Sequence, residues 1–238
     1  MASRGIRERL LAAVEASRER EHELIALADD SPPPEPGLWT AKDHLAHLNE
    51  WRLYAARTLD AGRTGTQAPD LGDETDAINA RFYENNKDKT SDLVKSEAHS
   101  SYDQLEAALA ACTDDVLNRP RPHVPDAPLW QVVPGNCHGH LAEHLVFWHL
   151  EQGDEEGAEA AQQWVYELVR REFPEPRAVA AATYNLGCFY VRVGREDEAL
   201  PRFQHAFELD PSLKKIARTD TDLHRIRNHP DLVDLLGS

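Results

Sequence analysis

Cysteine is scarce in this chain: there are three among 238 residues, Cys112, Cys137 and Cys188, far apart and without CxxC spacing. So odd and dispersed a set supports neither a disulfide framework nor a cysteine-rich zinc site. Long apolar runs are missing as well. Nothing approaches the ~20 apolar residues needed to cross a bilayer. The start, Met1-Ala-Ser-Arg-Gly-Ile-Arg7, runs into a charged amphipathic segment instead of the apolar core of a signal peptide. Positive charge is in short supply, because 26 lysines and arginines face 42 acidic residues and leave a formal net charge of -16. A surface of that sign repels phosphate backbones and anionic lipid, which argues against nucleic acid and membrane partners. The expected setting is cytoplasmic, in a reducing compartment.

What the chain does have is helical periodicity. Hydrophobic residues make up 41% and charged residues 29%, a balance that sustains a packed core. Ile6, Leu10, Val14, Ser17, Leu24 and Ala28 follow one stripe and predict a helix over residues 4–29. The proline-rich cluster 31–37 breaks it. Thr40 then offers an N-cap with Asp43 in the first turn, predicting a second helix to about residue 61 with Leu45, Leu48, Trp51, Ala55 and Leu59 inward. A shorter helix is expected over 74–87, a third long one from near Thr90 through Cys112, and a fourth from near Asn136. Five prolines make 118–135 irregular, and no strand pattern competes convincingly, although Leu129–Val133 leaves room for an extended segment. The expectation is an all-α four-helix bundle over residues 1–153.

Composition shifts after Gly153. An acidic amphipathic helix is expected over 154–172, then helices at about 177–193 and 196–209, with one or two capping helices in 212–238. Leu186, Gly187, Tyr190, Ala199, Phe203, Ala206 and Pro211 resemble one tetratricopeptide (TPR) repeat, a pair of antiparallel helices brought close by small residues, with Tyr190 and Phe203 filling the space between them. One repeat cannot bury its own face, so region 154–238 reads as a short TPR-like appendage. It serves either as a packing element or as a surface for a protein partner or homodimer.

The chemistry-bearing residues lie in the first region. His140-Leu-Ala-Glu-His144 places two imidazoles one turn apart on one helix face, a bidentate arrangement suited to zinc, nickel or iron. His47, on a stripe with Trp51 and Tyr54, can supply a third nitrogen from the second helix. On spacing alone, a core histidine bonded to a carbonyl accounts for His47 equally well. His44 and His138 stand nearby as partners of the ligands or as exposed side chains.

Three stretches carry a family resemblance: Trp39-Thr-Ala-Lys-Asp43-His-Leu-Ala-His47-Leu-Asn-Glu-Trp51, Asp76-Ala-Ile-Asn79-Ala-Arg-Phe-Tyr83-Glu-Asn-Asn86, and Pro134-Gly-Asn136-Cys-His-Gly-His140-Leu-Ala-Glu-His144. Over roughly residues 1–150 the chain resembles the DinB-like superfamily, and within it most closely the ClbS/DfsB branch. The resemblance implies a four-helix bundle in which His47, His140 and His144 hold a divalent transition metal. It also implies an enzyme acting on a small-molecule electrophile, by hydrolytic ring opening in self-resistance or detoxification. The other branches imply transfer or isomerisation with an external low-molecular-weight thiol; a third possibility is a non-catalytic protein that sequesters its ligand. Trp51, Tyr54, Asn79, Tyr83 and Phe147 are the expected pocket residues. Glu143, Glu50 and Tyr83 are candidates for acid–base work, and nothing in the sequence chooses among them. Cys137 sits beside the histidines but precedes their helix face, as an inert residue would.

Overall fold

The computed structural model describes residues 4–33, 35, 37–72 and 74–237, so part of the proline break, Pro34 and Pro36, lies outside the described residues. The chain is all-α and divides into two compact units, residues 1–148 and 149–238. Among the described residues no helix is long and apolar enough to cross a membrane.

The first unit is built on α1 (Ile6–Leu27), α2 (Ala41–Thr64), α3 (Thr75–Asn86), α4 (Ser91–Ala111), a single turn α5 (Asp114–Leu117) and α6 (His138–Glu151), which runs across the division. Helix α2 is the hub and packs against α1, α3 and α4. Its start is fixed locally: the Asp43 amide donates to the Thr40 hydroxyl and the Thr40 amide donates to Asp43, a reciprocal capping box. Gly65, in the left-handed conformation at φ 73°, ends it. Leu10, Val14 and Leu24 of α1, Leu45, Leu48 and Leu59 of α2, Val94, Leu105 and Leu109 of α4, and Leu141 and Leu145 of α6 form the apolar core, all fully buried.

The proline-rich stretch is irregular, and its extended segment does not fall at Leu129–Val133. Leu129–Val132 is a 3-10 turn, and the extended segment is Val124–Pro128 (β2), which pairs antiparallel with Pro120–Arg121 (β1). The reason is periodicity: in a 3-10 turn residues i and i+3 share a side, so Leu129 and Val132 are buried together. Leu129 also fills the space beside Gly62 of α2, where a Cβ would stand 2.5 Å from its side chain.

The second unit comprises α7 (Glu155–Glu172), α8 (Pro176–Arg192), α9 (Glu196–Leu209), α10 (Leu213–Ala217), a 3-10 turn at Thr221–Ile226 and α11 (Pro230–Leu236). Helices α8 and α9 form a tight hairpin. Gly187 faces Phe203 so closely that a Cβ would lie 2.8 Å from the ring. Gly194 turns the chain at φ +79°. The tyrosine ring against Phe203 is Tyr184, with centroids 5.3 Å apart. Tyr190, expected in that space, instead turns its hydroxyl to α7, donating to Glu159 and accepting from Gln163. Six residues separate the two tyrosines, which sets them about 120° apart around a helix.

A candidate metal centre

The site grows from two helices. On α2, His44 and His47 are three residues apart and project from neighbouring positions of one side. On α6, His140 and His144 are one turn apart. The structure brings His47, His140 and His144 together as a possible metal-binding group, with one ring nitrogen from each within 4.8 Å of the others. His47 Nε2 lies 3.3 Å from His140 Nε2, and His144 Nε2 lies 3.1 Å from the same atom. Three nitrogens held about 2.0–2.1 Å from one ion at tetrahedral or octahedral angles stand about 2.8–3.4 Å from each other. Both distances fall in that range.

The donor chemistry agrees with the geometry. A neutral imidazole nitrogen carries either one lone pair or one hydrogen, so His140 Nε2 cannot satisfy both of its neighbours well. A cation shared by three lone pairs satisfies all of them. Burial favours the neutral form required of a ligand. Desolvation lowers His44 and His140 to about 4 and His47 to about 3, and it drives His144 well below its ordinary value. Mutual repulsion among the rings adds to this for His47 and His144.

These shifts predict how metal-free protein responds to pH. Each of these histidines titrates lower when folded than when unfolded, so the unfolded chain binds more protons between about pH 6.5 and 4. Stability is therefore full above pH 6.5 and lost as pH falls below it, by at most about 1.4 kcal/mol per pH unit for each group. In excess chelator, the melting temperature of the first unit should be flat from pH 8 to 7 and fall between 6.5 and 5, where carboxylates remain largely ionised. A flat profile across that window would contradict the assignment.

Aromatic rings surround the cluster. Trp39, in the connection just before α2, stacks on Tyr83 at 6.0 Å and on His144 at 5.9 Å, and meets His44 and His47 edge-on. Trp51 meets His140 and Phe82 edge-on, donates its indole N–H to Asn79 Oδ1 at 3.3 Å, and contacts Tyr54. Of the expected pocket residues, Trp51 and Tyr83 thus belong to the ring system around the histidines, and Tyr54 and Asn79 are joined to it through Trp51. Phe147 remains 36% exposed. Neither Glu50 nor Glu143 joins the metal-binding group. Glu50 accepts from Asn86 at 3.1 Å, and Glu143 is on the exposed side of α6.

Two residues gain importance from the structure. Trp39 was visible only as part of a motif; its place beside an N-cap gave no sign that the connection folds back over the cluster. His44 is buried, with Nδ1 2.7 Å from His144 Nδ1. The three-residue offset from His47 was the available signal. Cys137 is fully buried and its thiol is pushed up to about 11, first by desolvation. Burial raises Cys112 and Cys188 too, so none of the three supplies a thiolate at neutral pH. A surface depression lined by Arg57, Asp60, Ala61 and Thr66–Asp70 lies about 15 Å along α2 from His47 and is separate from this chemistry.

A family model described as the DinB superfamily matches residues 4–152. No curated protein and no solved structure gives a significant match.

Proposed function

The chain belongs to the DinB superfamily, and on that premise we propose that its first unit is a metal-dependent enzyme acting on a small electrophile, in the manner of the ClbS/DfsB branch. The observation that carries this reading is the convergence of His47, His140 and His144 through their Nε2 atoms within a wall of aromatic rings. His47, His140 and His144 would hold a divalent ion there, and it would supply Lewis acidity. The protein's own groups bind and orient. Trp39, Trp51 and Tyr83 offer apolar faces to a small ligand, and Asn79 fixes the Trp51 indole by accepting its N–H. Among the described residues no carboxylate completes the group, so three neutral ligands would leave an ion's charge uncompensated and would favour an anionic donor from solution.

That last feature supports a second reading, transfer of an external low-molecular-weight thiol, since the chain's own thiols are held protonated by burial. Protein loaded with zinc, nickel or iron is incubated with a strained-ring electrophile such as styrene oxide, with and without glutathione. Diol formed without thiol, and lost in a His140→Ala/His144→Ala variant, supports hydrolysis. A thioether formed only with thiol supports transfer. Saturable one-to-one binding without product removes the enzyme in favour of a sequestering protein. The second unit keeps the TPR-like spacing of Leu186, Gly187, Ala199, Phe203 and Ala206, and we read it as a surface for a protein partner or a second copy. Sedimentation showing only monomer at all concentrations would remove the homodimer.

A further inference from the structure

Of the three candidate ligands, His144 is the one whose second ring nitrogen meets a protein group. The Nδ1 atoms of His47 and His140 are buried without a hydrogen-bond partner among the described residues. His144 Nδ1 stands 2.7 Å from His44 Nδ1, with both rings buried. Its opposite nitrogen, Nε2, faces His140 at 3.1 Å. His144 therefore spans the cluster on one side and His44 on the other.

A contact of 2.7 Å between two neutral imidazole nitrogens requires one hydrogen between them, and this leaves two arrangements. In one, His144 Nδ1–H donates to His44 Nδ1, so His144 Nε2 keeps its lone pair toward the cluster and His44 carries its hydrogen on Nε2. In the other, His44 donates, and the hydrogen on His144 moves to Nε2, where it points at the cluster and blocks coordination. Only the first can hold a metal ion.

We infer that His44 is a positioning residue, the acceptor that fixes His144 in its metal-binding tautomer. The inference rests on the metal-site reading above. The rings of Trp39 and Trp148, edge-on to His44 with centroids 5.4 and 6.0 Å away, hold the acceptor in place. A carboxylate or carbonyl is the usual outer partner of a ligating histidine; here a neutral imidazole takes that place, which orients the ligand without adding negative charge. Asp43, the neighbouring acid, is committed to the helix cap.

The test titrates cobalt(II) into tag-free, full-length wild type, His44→Leu, His44→Asn and His140→Ala/His144→Ala, following ligand-field absorption and competition with a chelator. Outer-shell loss at such sites weakens binding roughly 10–100-fold. That drop is expected for His44→Leu, with recovery of most of the affinity in His44→Asn, whose amide oxygen can accept. Nitrogen-15 spectra of the zinc-loaded wild type are expected to show the His144 hydrogen on Nδ1 and the His44 hydrogen on Nε2, which is independent of whether any variant folds. If wild type binds no cobalt, the metal reading fails and this inference with it. If wild type binds and His44→Leu binds as tightly, the metal reading stands and the role of His44 is overturned. His44→Asn as weak as His44→Leu, with a lower metal-free melting temperature in both, would mark mere packing and also overturn it.

Discussion

Purified without a polyhistidine tag, the protein is expected to carry about one divalent ion per chain, and the His140→Ala/His144→Ala variant to carry none. The size of the effect follows from ligand count. Structural zinc sites with four ligands bind with about 10–16 kcal/mol at neutral pH, or roughly 3 kcal/mol for each ligand. Losing two of three ligands then weakens binding by about 6 kcal/mol, on the order of 10^4-fold. Two imidazole-to-methyl changes on the face of α6 also remove buried polar atoms that are poorly satisfied without metal, so the variant is expected to keep its fold. Wild type should be stabilised by added ion while the variant is not: at an ion concentration 100 times Kd the gain is about 2.7 kcal/mol, roughly 5–11 °C for a unit of this size. Elemental mass spectrometry with a melting curve in zinc and in chelator measures both. Wild type with no metal after incubation with zinc, nickel and iron, and with the same melting temperature in each, would remove the metal mechanism.

The site was legible in part because helical spacing is a strong local rule. His140 and His144 lie one turn apart on any helix, so the sequence placed them on one face without tertiary information. What it could not give was the approach of α2 to α6. A core histidine bonded to a carbonyl explained His47 equally well until its Nε2 was seen 3.3 Å from that of His140. Trp39 was less legible still, because its role depends on how an irregular connection folds, and no periodicity reports that. The helix starts were readable where caps are chemical: Thr40 with Asp43 is a reciprocal pair visible in sequence and present in the structure. The stretch after residue 118 was legible only as irregular. Five prolines suppress regular hydrogen bonding, and the burial of Leu129 and Val132, three apart, decided a 3-10 turn over an extended segment.

The largest loss of stability is expected from a group that sequence reading passed over entirely, Arg52. A charged residue on the inner stripe of a helix would ordinarily point out. Here it is fully buried, because three helices supply its partners. Both carboxylate oxygens of Glu21 on α1 receive its guanidinium, one at 2.8 Å; Asn49 Oδ1 accepts at 2.7 Å, and Ser101 Oγ on α4 accepts from Nε at 2.9 Å. The guanidinium also lies 3.9 Å from the centre of the Tyr102 ring, whose hydroxyl donates to Glu21 at 3.1 Å. Burial opposes the charge on Arg52, but Glu21 together with Tyr102 and Cys137 outweighs it, and the pKa stands above its ordinary value. Such a pair contributes modestly when whole and is destructive when halved, because the remaining ion stays in the core without compensation. Glu21→Leu is expected to cost about 3–5 kcal/mol, roughly 6–20 °C in melting temperature, since arginine cannot shed its charge at accessible pH. Arg52→Leu should cost a similar amount by stranding Glu21, since the single hydrogen bond from the Tyr102 hydroxyl does not replace the lost cation. The double variant Glu21→Leu/Arg52→Leu removes both charges together and should be clearly more stable than either single change, although Asn49, Ser101 and Tyr102 each lose a bond. A double-mutant cycle on the melting of the first unit measures this coupling. Strict additivity would mean that the two charges do not depend on each other, whatever their distance. Strong coupling, present in metal-free and zinc-loaded protein alike, would show that α1, α2 and α4 are locked by charge independently of the ion, so that α2 presents His44 and His47 from a frame already fixed.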